Sequence, residues 1–269
     1  MTTPTWDDLP ALLRHRIADH FQPTGPAEPV AGGFTPGVRV RMRTATGGEV
    51  FIKAIPAHGP LADLYRTEAA INRTLPDGLG PRLLTTMDTD GWVVLAFTYA
   101  EGRHPDLSPG SPDLPAVLDA VAALHTQLPR ARTRTRPNSR TTPSSNARPR
   151  STTPCGDTLL HCDIRADNIL IGEHGPLFVA WALAHRGAAW LDAALMVPQL
   201  ILAGHTPEEA EKHAAQIPAY RDAPEEAVTA FAASITSYWE QRAHEGVEDL
   251  RAYRQRALEA GRARKAHRR

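Results

Sequence analysis

The chain has 269 residues, 42% apolar and 22% charged, with 30 basic residues balanced by 30 acidic ones. A formal charge of zero gives no overall field to draw nucleic acid or a membrane surface, and no run approaches the roughly 20 apolar residues of a membrane span. Two cysteines, Cys155 and Cys162, make no disulfide framework, and the acids in the opening MTTPTWDDLP exclude a signal peptide. A reducing, cytoplasmic setting is therefore expected.

The first element is an amphipathic helix over 6–21, with Leu9, Leu12, Leu13, Ile17 and Phe21 on one side. AGGFTPGVRVRM (31–42) is a glycine turn entering a strand that alternates at Val38, Val40 and Met42, and GGEVFIKAI (47–55) is the returning strand of a hairpin. A helix follows over 60–75, a strand over 91–100, a Pro/Gly-punctuated loop over 101–113 and a helix over 114–128. Residues 129–157 hold seven arginines and almost nothing a core can use. They read as a disordered insert; a nucleic-acid-binding arm is the competing reading, without the interleaved aromatics it calls for. The stretch 158–181 reads as strand, loop, strand, turn, strand, and helices fill about 188–204, 207–215, 224–243 and 248–264, ending in a frayed basic tail, RARKAHRR. A strand-rich front thus precedes a helix-rich back, and a ligand is expected between them.

The basic residues are 27 Arg and only 3 Lys: Lys53, Lys212 and Lys265. Against that bias Lys53, flanked on its strand face by Phe51 and Ile55, marks a place where a compact ammonium is wanted. The 60–75 helix has an apolar stripe of Leu61, Leu64, Ile71 and Leu75 with Glu68 in the middle. A carboxylate on a buried seam needs a cation, so a Lys53–Glu68 pair is expected; the alternative puts Tyr65 on the stripe and Glu68 at the surface. In LLHCDIRADNILI (159–171), two apolar strands bracket a polar loop with Asp163 and Asn168 five residues apart. A carboxylate and an amide on one loop can orient a nucleophilic hydroxyl and hold a divalent cation, although both residue types are also common in turns.

His161-x-Asp163-x4-Asn168 resembles the catalytic loop of the protein-kinase-like fold in the form used by the aminoglycoside phosphotransferase family. GGFTPG resembles that family's nucleotide loop, VFIKA its lysine strand, RTEAAINRTLP the helix of the partner glutamate, LAFTYAEGRHP the hinge and GAAWLDAALMV the helix with a buried Asp192. The resemblance implies an α+β bilobal fold, with a small antiparallel-sheet N-lobe over 1–98 and a mainly helical C-lobe over 99–269. It implies phosphoryl transfer from ATP, with Mg2+, to a hydroxyl of a small molecule, with neither nucleic acid nor membrane as partner. Lys53, held by Glu68, would contact the α- and β-phosphates. Backbone amides around Gly32, Gly33 and Gly37 would cover the phosphates, and backbone groups near Phe97 and Tyr99 would meet the adenine. Asp163 would accept or orient the hydroxyl proton, and Asn168 would ligate Mg2+.

One position departs. The family's strand ends in Ile/Val-Asp-Trp, whose aspartate is the principal Mg2+ ligand; here it reads Val179-Ala180-Trp181, twelve residues after Asn168. A methyl group cannot bind a hard cation, and neither Asp167 nor Glu173 stands at the strand end. The sequence therefore predicts an impaired kinase or, alternatively, a nucleotide-binding pseudokinase.

Overall fold

A computed structural model describes residues 4–33, 35–128, 156–245 and 248–269. The chain divides into two compact units, Met1–Gly102 with Leu177–Ala182, and Arg103–Pro176 with Leu183–Arg269.

The first unit is built on a five-stranded antiparallel sheet of order β1-β2-β3-β5-β4. Its strands are β1 (Glu28–Pro29), β2 (Val38–Arg43), β3 (Glu49–Pro56), β4 (Leu83–Thr89) and β5 (Trp92–Thr98). Period-two alternation sends Val38, Val40, Met42, Val50, Ile52 and Ala54 to one face, where helix α1 (Ala11–Phe21) covers them with Leu13 and Ile17. The other face holds Ile55, Val93, Leu95 and Phe97 against Ala62, Tyr65 and Ala69 of helix α2 (Ala62–Asn72). Strand β5 is buried on both faces, which explains its unbroken apolar run VVLAF.

Two expectations are corrected here. The first helix starts only at Ala11, after Pro10, and Trp6–Asp8 form a separate 3-10 turn. Leu9, Leu13 and Ile17 then line up inward at steps of four, while Leu12, rotated about 100° from Leu13, is 57% exposed. Strand β4 is the second: the sequence reading leaves 83–89 without an element. Asp90 (φ 52) and Gly91 (φ 77) both have positive φ and join β4 to β5 in a two-residue hairpin turn. That Asp-Gly pair is the missed signal.

The second unit contains helix α3 (Asp113–Gln127), the antiparallel pair β6 (Thr158–Leu160) and β9 (His185–Gly187), and the hairpin strands β7 (Ile169–Gly172) and β8 (Gly175–Phe178), the last running on into the first unit. Helices α4 (Leu191–Leu202), α5 (Pro207–Ala214), α6 (Pro218–Arg221), α7 (Glu225–Arg242) and α8 (Glu248–His267) complete it. Helix α4 is apolar nearly all round and buried nearly all round, as a central helix must be.

The basic tail is not frayed. Helix α8 continues to His267, and Arg264 is 1% exposed. Its guanidinium donates to Glu211 Oε1 (2.9 Å), Ala194 O (2.7 Å) and Tyr220 Oη (2.8 Å), and Arg268 donates to Glu211 Oε2 (2.8 Å). The Glu211 carboxylate, 12% exposed, draws both arginines inward, a long-range demand that local composition does not show. The predicted insert lies, over 129–155, outside the described residues. Among those described, no helix is long and apolar enough to cross a membrane.

Candidate functional site

The first unit carries one group of predicted residues. Register places Lys53 on β3 opposite Arg39 on β2 and Leu95 on β5, and Phe51 opposite Arg41 and Phe97. Helix α2 turns Tyr65, Glu68 and Ala69 inward together. Glu68 is only 3% exposed, and its Oε2 pairs with Lys53 Nζ. The ammonium also lies 4.7 Å from the Tyr65 ring centroid. The expected pair forms and Glu68 does not escape to the surface, because Lys53 answers the carboxylate; the buried seam around it is Ala62, Tyr65 and Ala69, while Leu61, Leu64, Ile71 and Leu75 of the expected stripe are only half-buried. Burial, helped by the Glu68 charge, pushes the Tyr65 hydroxyl well above the usual phenol range, so it stays neutral.

The glycine turn belongs to the same unit. Gly32 and Gly33 hold φ of 101 and 74. Gly37 has no room for a side chain, since a Cβ there would come within 2.6 Å of Tyr65 Oη and 2.8 Å of Ala54 O. Arg39 Nη1 donates to Thr35 O at 2.8 Å and anchors the turn from below. At the expected adenine segment, Phe97 is buried in the sheet core. The Thr98 and Tyr99 amides donate to Arg82 O and Glu49 O, and the Arg41 guanidinium sits 4.4 Å over the Tyr99 ring. Those two amides are therefore already spoken for within the unit.

The same unit holds the strand end at Ala180. Phe178 N–H donates to Leu79 O at 2.9 Å, and Trp181 Nε1–H donates to Phe178 O at 3.0 Å. Gly80 permits this approach, because a Cβ there would lie 2.5 Å from Phe178 O. Ala180 holds φ 64, a left-handed conformation that Asp and Asn adopt far more readily than Ala.

The second unit carries the Asp163 loop. Asp192, at the start of α4, is fully buried; its Oδ2 accepts His161 N–H at 3.0 Å and its Oδ1 accepts Cys162 N–H at 2.8 Å. Cys162 takes φ 64, and this turn aims Asp163 away from its strand. Asp163 N–H donates to His161 Nδ1 at 3.2 Å. Asn168 Nδ2 donates to Asp163 Oδ2 (2.8 Å) and to its carbonyl (2.9 Å), so the two expected residues meet side by side. Beside them is an arginine that the sequence reading passes over. Arg165 pairs with Asp167 at 2.9 Å, lies 3.6 Å from Asp163 Oδ1 and stands 5.6 Å from the Tyr253 ring centroid. Its position between two acids at spacing two was the available signal. A cavity of about 420 Å3 opens next to this loop, lined by Asp106, Leu107, Ala166, Gln199, Tyr253 and Arg256 among others.

A divalent cation is implied by the family resemblance, but the donor set does not fit one. In the second unit Asn168 has one amide oxygen to give, the Asp163 oxygens are held beside Asn168 and Arg165, the Asp167 carboxylate is answered by Arg165, and Glu173 is exposed in the turn between β7 and β8; in the first unit Ala180 has no side-chain oxygen. Among the described residues no group of three or more His, Cys, Asp or Glu could hold a metal ion.

No protein-family model matches the sequence, and no curated protein matches it. Among solved structures, that of amicoumacin kinase hAmiN in complex with AMP-PNP, Ca2+ and Ami superposes with a TM-score of 0.60 at 8% identity, covering 94% of this chain and 93% of that one. At that identity the likeness concerns the fold alone: an antiparallel sheet unit followed by a helical unit, the protein-kinase-like arrangement.

Proposed function

We propose that this chain is a phosphotransferase-type protein, similar to the aminoglycoside phosphotransferases, that binds a nucleoside triphosphate and transfers its γ-phosphoryl group to a hydroxyl of a small molecule, at a rate held down by Ala180. The observation that carries the reading is the Lys53–Glu68 pair. A half-buried ammonium fixed by a buried carboxylate, on the strand beside a glycine turn, is what binding a polyphosphate requires. The kinase-like fold supports it, as does the bound AMP-PNP of the amicoumacin kinase.

In this reading Lys53 neutralises phosphate oxygens and Glu68 holds the ammonium in place. In the second unit, Asn168 fixes one oxygen of Asp163, and that carboxylate orients the acceptor hydroxyl and takes its proton. Asp192 keeps the loop in the conformation that presents Asp163. The cavity beside Ala166, with Asp106, Gln199, Tyr253 and Arg256 on its walls, is the place for the acceptor. Phosphoryl transfer depends on positioning and charge neutralisation, so these residues retain the first and lack part of the second.

A second reading, a nucleotide-binding protein without catalysis, is favoured by Ala180. One assay separates the two: hydrolysis or transfer from γ-labelled ATP by the full chain beside Lys53→Met and Asp163→Asn. Slow turnover lost in both variants supports the enzyme. ATP binding with no turnover above the variants supports the second reading, and absence of ATP binding overturns both.

A further inference from the structure

Four cations, Arg39, Arg41, Arg43 and Lys53, stand on the sheet face that carries Lys53, and among the described residues Arg39 alone has no anion, Arg43 being answered like Arg41 by Glu49. Arg41 is answered by Glu49 at 2.6 Å and Lys53 by Glu68. Arg39 lies directly opposite Lys53 in register. Among the described residues no carboxylate reaches it within ion-pair distance. It is half-buried, and its Nε is sealed from solvent with no hydrogen-bond partner. Its one recorded bond, Nη1 to Thr35 O, ties it to the glycine turn, and a Cβ at Gly33 would come 3.2 Å from the same Nη1. The sealed Nε is shared by Arg41, which has its anion; what sets Arg39 apart is a half-buried guanidinium whose charge no described carboxylate answers, which is unfavourable unless an anion completes it. Its place beneath the turn and across from Lys53 says which anion: the phosphate chain covered by that turn. A planar fork of donors matches two phosphate oxygens at once.

The second observation is Ala180. A strand end without a carboxylate brings in no metal charge, and the donor set does not fit a divalent cation. We propose that Arg39 is a second phosphate-binding residue of the nucleotide site, supplying through its guanidinium the charge neutralisation that a metal would otherwise bring, so that a nucleoside triphosphate binds this chain without a divalent cation. The proposal rests on the nucleotide reading above and adds to it the charge source and the metal independence.

The test is calorimetric titration of the full chain with ATP, adenosine and tripolyphosphate, each in EDTA and in excess Mg2+. The expected result is an ATP Kd in EDTA within about twofold of that in Mg2+, with tripolyphosphate competing in EDTA. Arg39→Gln then weakens ATP in EDTA about tenfold or more, the scale of a lost charge-assisted hydrogen bond, and leaves adenosine unchanged. Arg39→Lys keeps the charge without the fork and falls between the two, which serves if the glutamine variant melts early. ATP binding that requires Mg2+, or Arg39→Gln binding ATP in EDTA as tightly as the parent chain, overturns the proposal. The nucleotide reading survives either result provided Lys53→Met still loses ATP. ATP binding in neither condition ends both.

Discussion

Asp192 and Cys162, thirty residues apart, are joined by a 2.8 Å hydrogen bond from the Cys162 amide to a carboxylate with no exposure to solvent. The bond holds Cys162 at φ 64, where a non-glycine residue is strained by about 1–2 kcal/mol. Asp192→Ala orphans the amides of His161 and Cys162 and is expected to lower stability by about 1.5–3 kcal/mol or more. Cys162→Gly relieves the strain but removes a buried side chain whose Sγ lies 3.7 Å from His185 Nε2, so the two effects nearly cancel and stability changes by no more than about 1 kcal/mol. Urea unfolding of both variants checks the pair; a strongly destabilised Cys162→Gly contradicts it.

Ala180→Asp is expected to raise ATP turnover in Mg2+ by about 10²-fold, the scale of restoring one key electrostatic group. Aspartate also tolerates the φ of 64 at this position. Ala180→Gly is the control: it relieves the same backbone without adding an oxygen, and should raise the melting temperature and not the rate. Equal rates for the two variants refute the role proposed for Ala180.

Lys53→Met strands the buried Glu68 carboxylate and is expected to cost about 3–5 kcal/mol. Lys53→Met with Glu68→Leu removes both charges and should recover most of that loss while still failing to bind ATP. A double-mutant cycle by chemical denaturation gives the coupling; additive losses show that the two side chains do not stabilise each other.

His125 on α3 is 7% exposed, and among the described residues neither of its ring nitrogens has a hydrogen-bond partner. Burial lowers its pKa below the usual imidazole value, with the Asp192 charge opposing. The unfolded chain then takes up a proton near pH 6.5 that the folded chain refuses. Stability is full above that pH and falls as pH drops from about 6.5 toward the folded pKa. His125→Phe should flatten the melting temperature between pH 7.5 and 5.5 and raise stability by about 1 kcal/mol. An unchanged pH slope would assign the effect elsewhere.

Arg264→Ala removes three donors from Glu211, Ala194 and Tyr220. The loss should be about 3–5 kcal/mol, as for any broken buried pair, and Arg262→Ala, whose side chain is largely exposed, should cost under about 1 kcal/mol. Melting curves of the two variants separate a docked helix end from a loose one.

What the sequence made legible was local or came in a fixed order. Lys53 stood out against an arginine-biased composition, Glu68 against a leucine stripe, and Asp163 and Asn168 within a short loop between two strands. What escaped depended on distant partners. Arg39 reads as an ordinary polar position of an alternating strand until register sets it across from Lys53. Arg264 reads as a solvated tail until Glu211 claims it. Strand β4, with its threonines and half-buried side chains, lacks the apolar run that marks β5, and only the Asp90-Gly91 turn announced it.

The first unit borrows residues 177–182 from far down the chain, with Phe178 bonded to Leu79 and Trp181 set beside Gly80. Its opening hundred residues therefore cannot reach their finished state as they are synthesised: α3 and the whole Asp163 loop must emerge first. An excised fragment ending at Gly102 would keep the sheet and lose its clasp, so dissecting this protein at the apparent boundary separates two pieces of which one is incomplete.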